Sequence, residues 1–234
     1  MNSFKKGLRD GVPIGLGYLS VSFSFGILGI KYGLSIWETV LISMTNLTSA
    51  GQFAGLEIIA ACGTYMEMLL AQLVINLRYS LMSISLSQKV DENFTTAKRL
   101  VLGHGITDEI FGGAISNEGE IGYKYFTGLI IAPYLGWSLG TLLGAICGDI
   151  LPDNVCSALG IALYGMFVAI VVPPMKKSRS IQLVVIIAVL LSSVFKWVRC
   201  FENISSGTSI IICAVVASAI GAALFPVKEA EYEQ

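Results

Sequence analysis

The sequence predicts an all-α protein, a polytopic transmembrane helical bundle of seven to eight spans, and three observations carry that prediction. Of the 234 residues, 54% are apolar and only 13% are charged, roughly half the charge of a soluble domain. Mean hydropathy is +0.74. The charges gather between long uncharged runs at 11–30, 39–56, 125–148, 154–175, 180–195 and 203–227, and roughly 20 apolar residues suffice to cross a bilayer. This composition excludes disordered, nucleic-acid-binding and disulfide-stapled classes. Cys62, Cys147, Cys156, Cys200 and Cys213 are scattered without a C-x-x-C pair and read as small hydrophobes.

Spans are expected near 13–31, 36–61, 66–87, 100–117, 125–148, 154–174, 180–196 and 204–226. The first follows Lys5, Lys6 and Arg9 but runs too long for a signal peptide, so residues 1–12 form an amino-terminal segment. The second reads either as a helix surrounded by protein and water or as one broken near Ala50 and Gly51. Segment 100–117 is weak as a helix, because Gly103, Gly105, Gly112 and Gly113 loosen it and His104, Asp108 and Glu109 are costly to insert. It reads as re-entrant or partly spanning. In the fifth span Gly136, Gly140, Gly144 and Gly148 form a small-residue track for close helix contact, with Pro133 and Pro152 as helix-end punctuation. Pro13 and Pro133, about 120 residues apart, each open a glycine-studded span, which suggests an internal repeat of the kind transporters use.

Orientation follows from Lys and Arg in short loops: Lys5, Lys6 and Arg9, and later Lys176, Lys177 and Arg179, are expected on the cytoplasmic side. Eight crossings then place both termini there, 227–234 being a cytoplasmic tail. The same count puts Lys89, Lys98 and Arg99 outside, against the rule. The whole chain, 1–234, reads as one integral domain of the cytoplasmic membrane.

Six of the ten residues from Ser43 to Gln52 have polar side chains in the middle of a membrane-length run. Ser43, Thr45, Asn46, Thr48, Ser49 and Gln52 cover every side of a helix, and lipid offers them no partners. One reading is a broken helix whose freed amides and carbonyls hold a small zwitterion. The other is interhelical glue. In the next span Gln72, Asn76, Ser80, Ser83 and Ser87 form one stripe expected to line the bundle interior. Arg78 lies on a different face, and a lone central Arg costs at least about 2.5 to 3.5 kcal/mol, so it needs an anionic partner from another segment. Asp108 and Glu109 are the candidates. A carboxylate in an apolar setting is also a candidate proton carrier, so neutralising Arg78 and carrying protons are both open roles. His104 lies four residues before Asp108 but has no second His or nearby Cys, which argues against a metal. Glu57, near the end of its span, reads as interfacial. No nucleophile elbow, phosphate loop or zinc-hydrolase motif occurs, so the chain reads as a transporter rather than an enzyme, with no cofactor.

The motifs G-L-R-D-G-V-P-I (Gly7 to Ile14), A-G-Q-F (Ala50 to Phe53), N-L-R-Y (Asn76 to Tyr79) and T-D-E-I-F (Thr107 to Phe111), in that order, resemble the AzlC family of branched-chain amino acid exporters. The resemblance covers most of the first 175 residues. It implies a permease large subunit that works with a small hydrophobic AzlD-type partner and exports leucine, isoleucine, valine and sometimes methionine, driven by the proton gradient. The family often has a His after the Arg, where this chain has Tyr79. The expected substrate site comprises Asn46, Ser49, Gly51, Gln52, Phe53, Gln72, Asn76 and Arg78, with Asn46 or Gln52 meeting the ammonium group and Gly51 and Phe53 shaping an apolar pocket. Asp108 and Glu109 are the expected proton-coupling pair. The alternatives are a passive channel and a structural membrane subunit.

Overall fold

Helices begin where the sequence supplies caps. The side chains of Ser3, Ser35, Thr107, Ser178 and Ser205 each accept a backbone N–H of the following turn, and Ser35 with Glu38 completes a capping box. The computed structural model describes residues 3–117, 119–150, 178–198 and 204–225, plus residues 152, 154, 168, 171, 172, 175, 176 and 201. Apart from those isolated positions, the expected span 154–174 lies outside the described residues, as do Cys156, Cys200 and the tail 227–234. Among the described residues there are nine helices and no strand: α1 (Phe4–Lys31), α2 (Ile36–Thr45), α3 (Ala50–Ala60), α4 (Tyr65–Ser87), α5 (Thr96–Gly103), α6 (Asp108–Ile115), α7 (Tyr123–Ile150), α8 (Arg179–Trp197) and α9 (Ser206–Leu224). Helices α1, α4, α7, α8 and α9 are long and apolar enough to cross a membrane. The chain is an all-α membrane helical bundle, divided into two compact units, Met1–Leu56 with Asn76–Leu163 and Glu57–Ile75 with Tyr164–Gln234.

Glycine sets the architecture of the first unit. Gly7 lies against Tyr125, Gly15 against Ala132, Gly26 against Thr141 and Gly144 against Phe23. Residue numbers rise together along this seam, so α1 and α7 run parallel over their full length, backbone against backbone. The expected track of Gly136, Gly140, Gly144 and Gly148 faces α1. Pro13 and Pro133 lie within helices rather than at their ends, so α1 begins at Phe4 instead of near 13, and Pro133 is not helix-end punctuation. Pro133 removes the amide that the Leu129 carbonyl would accept from, and that oxygen lies against Gly11, where a weak Cα–H contact can receive it.

Neither segment 36–61 nor segment 100–117 runs straight through. Ser43 and Gln52 are hydrogen-bonded to each other, although on a continuous helix they would stand about 13 Å apart. Measured along α1, Thr39 meets Gly29, Leu47 packs on Tyr18, and Phe53 stacks on Phe25. The chain therefore enters from the carboxyl end of α1, turns at residues 46–49 near its middle and heads back. The expected break near Ala50 and Gly51 is corrected to 46–49, and the expected crossing to a helical hairpin. Ser49 makes the turn with a left-handed φ of 49°.

Helices α5 and α6 mirror this from the other end. Lys98 sits over the Tyr123 ring at 3.6 Å, Gly105 meets Ile130, Thr107 bonds Tyr18, Gly113 meets Leu129, and Asn117 accepts from Lys6. The segment thus rises to the middle of α1 and returns. Two parallel helices need one net return between them, and α4 supplies it, running from the hairpin tips at Arg78 to the amino end of α1 at Lys89. Lys6, Lys89, Lys98 and Arg99 consequently share one end of the unit. The expected placement of Lys89, Lys98 and Arg99 opposite Lys5 and Lys6 is corrected, because segment 36–61 turns back instead of crossing.

Helix boundaries repeat at a constant offset: Thr45 and Gly103 end a helix, Ala50 and Asp108 begin one, and Tyr65 and Tyr123 begin the next. Each pair is 58 residues apart. At the same offset L-R-Y-S-L (77–81) matches L-G-W-S-L (135–139). The repeat therefore joins hairpin and long helix, with the two copies pointing in opposite senses, and replaces the one suggested by Pro13 and Pro133.

In the second unit α8 and α9 pack antiparallel, Gly221 against Val184. Glu67 accepts from Thr208 and Ser205 at the start of α9.

Candidate functional site

The hairpin tips meet at the level of Tyr18, halfway along a 28-residue helix that measures about 42 Å at 1.5 Å per residue. That length exceeds a hydrocarbon core of about 30 Å, so the tips lie near its centre.

Thr107 caps α6, which puts Asp108 and Glu109 in its first turn, where the helix dipole favours negative charge. Asp108 pairs with Arg78 of α4 at 2.8 Å. The guanidinium lies 5.0 Å from the centre of the Tyr79 ring and donates to the Tyr79 hydroxyl at 3.3 Å. That hydroxyl in turn faces the Thr48 carbonyl at the other hairpin tip, 3.5 Å away. Arg78 and Asp108 keep 45% and 41% of their side-chain surface accessible, so the pair is half-exposed rather than sealed in the core. The anionic partner that Arg78 requires is therefore Asp108. Glu109 instead accepts a hydrogen bond from Tyr18.

At the first tip, Asn46 accepts from the Thr48 hydroxyl at 2.7 Å and the Thr48 amide at 3.3 Å, which holds the 46–49 turn. The Met44 carbonyl, freed by the end of α2, accepts from the Tyr134 hydroxyl at 3.2 Å and faces His104 Nε2 at 3.3 Å. Gln52 is fully buried. Its Oε1 accepts from the Trp137 indole at 3.0 Å, its Nε2 donates to Ser43, and Ser43 shares a 2.7 Å hydrogen bond with Thr141. This amide is occupied at both ends by protein, so of the two readings of Gln52 the packing role is the one its contacts fit. Gly51 and Phe53 are buried beside it, Phe53 edge-on to Phe25 at 5.3 Å.

The expected polar stripe on α4 divides. Asn76 is half-buried in the first unit, while Ser80, Ser83 and Ser87 are exposed rather than lining an interior, because α4 turns its other faces to the hairpin tips. Gln72 belongs to the second unit, 3.8 Å from Met68 Sδ. Glu57 borders a cleft of about 720 Å³ in that unit, together with Lys196.

Tyr18, Tyr79, Trp137 and Thr141 were not among the expected site residues. The matching pentapeptides point to two of them, since the repeat aligns Tyr79 with Trp137 and each reaches the first hairpin.

A family model described as AzlC protein matches residues 13–151, a stretch that ends one residue beyond α7. An uncharacterized membrane protein of Archaeoglobus fulgidus is 30% identical over 74% of this chain and 76% of its own. Inner membrane protein YgaZ of Escherichia coli is 26% identical over 76% of each chain. The branched-chain amino acid transport protein AzlC of Bacillus subtilis is 22% identical over 76% of this chain and 70% of its own. No solved structure matches the chain.

Proposed function

This chain belongs to the AzlC family, and from that premise we propose that it is a secondary transporter subunit that exports leucine, isoleucine, valine and, in part, methionine by proton antiport, together with a small AzlD-type membrane partner. The observation that carries the reading is the accessible Arg78–Asp108 pair at the meeting point of two opposed hairpins. A guanidinium presents a planar fork matched to a carboxylate, so the same group that holds Asp108 can hold the carboxylate of an amino acid. A zwitterion inserted into this pair places its carboxylate on Arg78 and leaves Asp108 to accept from its ammonium group, so a proton taken by Asp108 removes that acceptor, and proton and substrate occupy the site in turn, as antiport requires. The ammonium group finds acceptors in Asn46 and in the carbonyls freed at residues 46–49. Ser49, Gly51 and Phe53 line the side toward an aliphatic side chain, Asn76 flanks Arg78 on α4, and Gln52 braces the tip from behind. The shared end of Lys5, Lys6, Lys89, Lys98 and Arg99 is cytoplasmic in this reading, as the positive-inside rule requires, and the host is the cell membrane.

The test is counterflow of labelled leucine into vesicles containing this chain and its small partner. Saturable uptake driven by unlabelled leucine on the far side, and accelerated by an opposing pH gradient, is the expected result. Linear, unsaturable flux makes the protein a channel, and no flux with intact assembly makes it a structural subunit.

A further inference from the structure

Tyr18 joins the two hairpin tips. Its hydroxyl donates to the Glu109 carboxylate and lies 2.6 Å from Thr107 Oγ1, which also accepts the Ile110 amide. With its one proton committed to Glu109, the Tyr18 oxygen accepts the hydrogen bond of the Thr107 hydroxyl. Its ring meets Trp137 edge-on, centroids 5.2 Å apart at 76°, and both rings pack on Leu47 at the first tip. Trp137 in turn holds Gln52. One side chain thus touches the acidic end of α6 with its polar head and the turn of the first hairpin with its apolar body. We infer that Tyr18 is a positioning residue that carries the protonation of Glu109 to the first hairpin through Trp137.

The physical step is the loss of a charge-assisted hydrogen bond. While Glu109 is ionised, the phenol is held by an anion, and such bonds are about twice as strong as neutral ones. Once Glu109 takes a proton, the pull on Tyr18 falls, and in a close-packed interior a phenol cannot move without its neighbouring ring following. The ionisable groups facing Glu109 are Asp108 on its own helix, Tyr79 on α4 and Tyr18 on α1, while Arg78 pairs with Asp108 and His104 faces the Met44 carbonyl. The inference rests on reading Glu109 as a proton carrier, but its test does not require transport.

The measurement is the emission of Trp137 against pH in the full chain, with Trp37 and Trp197 replaced by Phe. A pH-dependent emission change is expected. It is expected to vanish in Tyr18→Phe, which keeps the ring and its packing, and in Glu109→Gln, which keeps Tyr18. Should Tyr18→Phe fail to fold, Glu109→Gln alone decides. Emission that ignores pH in the parent chain overturns the inference. So does a response that survives either substitution, as it will if His104 is the titrating group. Loss of counterflow in a parent chain whose Trp137 emission still responds to pH sinks the transporter reading and leaves this one standing.

Discussion

Replacing Asp108 with asparagine is expected to abolish pH-driven accumulation of leucine while leaving leucine exchange intact. Asparagine has the shape of a protonated aspartate and can still accept a hydrogen bond from Arg78, which faces Asp108 at 2.8 Å. It cannot titrate. A pH difference of one unit supplies about 1.4 kcal/mol per proton, about tenfold in concentration. For one proton per substrate the variant is expected to lose that whole factor and equilibrate leucine at unity. Exchange needs no net proton movement, and Arg78 remains free to hold the substrate carboxylate. Arg78→Ala is expected to remove both activities, and Arg78→Lys to weaken both, because an ammonium group lacks the planar fork. Uptake in sealed vesicles at set internal and external pH checks all three. Undiminished pH-driven accumulation in Asp108→Asn takes Asp108 out of the coupling step.

The largest loss of stability is expected from Gly144→Leu. A Cβ at residue 144 would overlap the Phe23 carbonyl oxygen, and backbone cannot yield as the end of a flexible side chain can. The two helices would have to part along a seam that also contains Gly136 on Gly15 and Gly26 on Thr141. Overpacking typically costs about 1 to 3 kcal/mol and occasionally more, and here it also removes contacts that let parallel backbones approach. The variant is expected to lose at least about 3 kcal/mol, read as loss of folded protein in a detergent melt. Gly17→Ala is the control. A Cβ at residue 17 meets nothing within 4 Å, and alanine favours helix by about 1 kcal/mol over glycine, so its melt is expected to be unchanged or slightly higher.

The membrane class and long helices were readable from the chain because solvation in lipid acts on every residue of a span, and boundaries such as Arg179–Trp197 followed from where charge stops. The partner of Arg78 was readable for the same reason, since a lone charge at mid-depth is too costly to leave without one. The hairpins were not. A helical segment that turns back has the composition of one that crosses, and the contact that tells them apart, Ser43 with Gln52, is made only after folding. The role of Gln52 was hidden similarly, because whether a buried amide meets protein or substrate depends on Trp137, far along the chain. Polarity marked the tip, whereas its partners come from the other copy of the repeat. The glycine seam was legible on α7 alone: Gly7, Gly11 and Gly15 recur every fourth residue on α1 as well, but the matching of the two rows depends on their parallel direction.

The site exists because two hairpins enter from opposite ends and carry Asp108 and Glu109 to mid-depth, where α4 brings Arg78. Single cysteines at Thr95, Glu120 and Trp37, in a chain otherwise freed of cysteine, report this directly through labelling by a membrane-impermeant maleimide in vesicles of known orientation. Thr95 and Glu120 flank the second hairpin, and Trp37 starts the first. Residues 95 and 120 are expected to label from the same side and residue 37 from the opposite one. Labelling of 95 and 120 from opposite sides would mean that this segment crosses the membrane, and it would contradict the site described above.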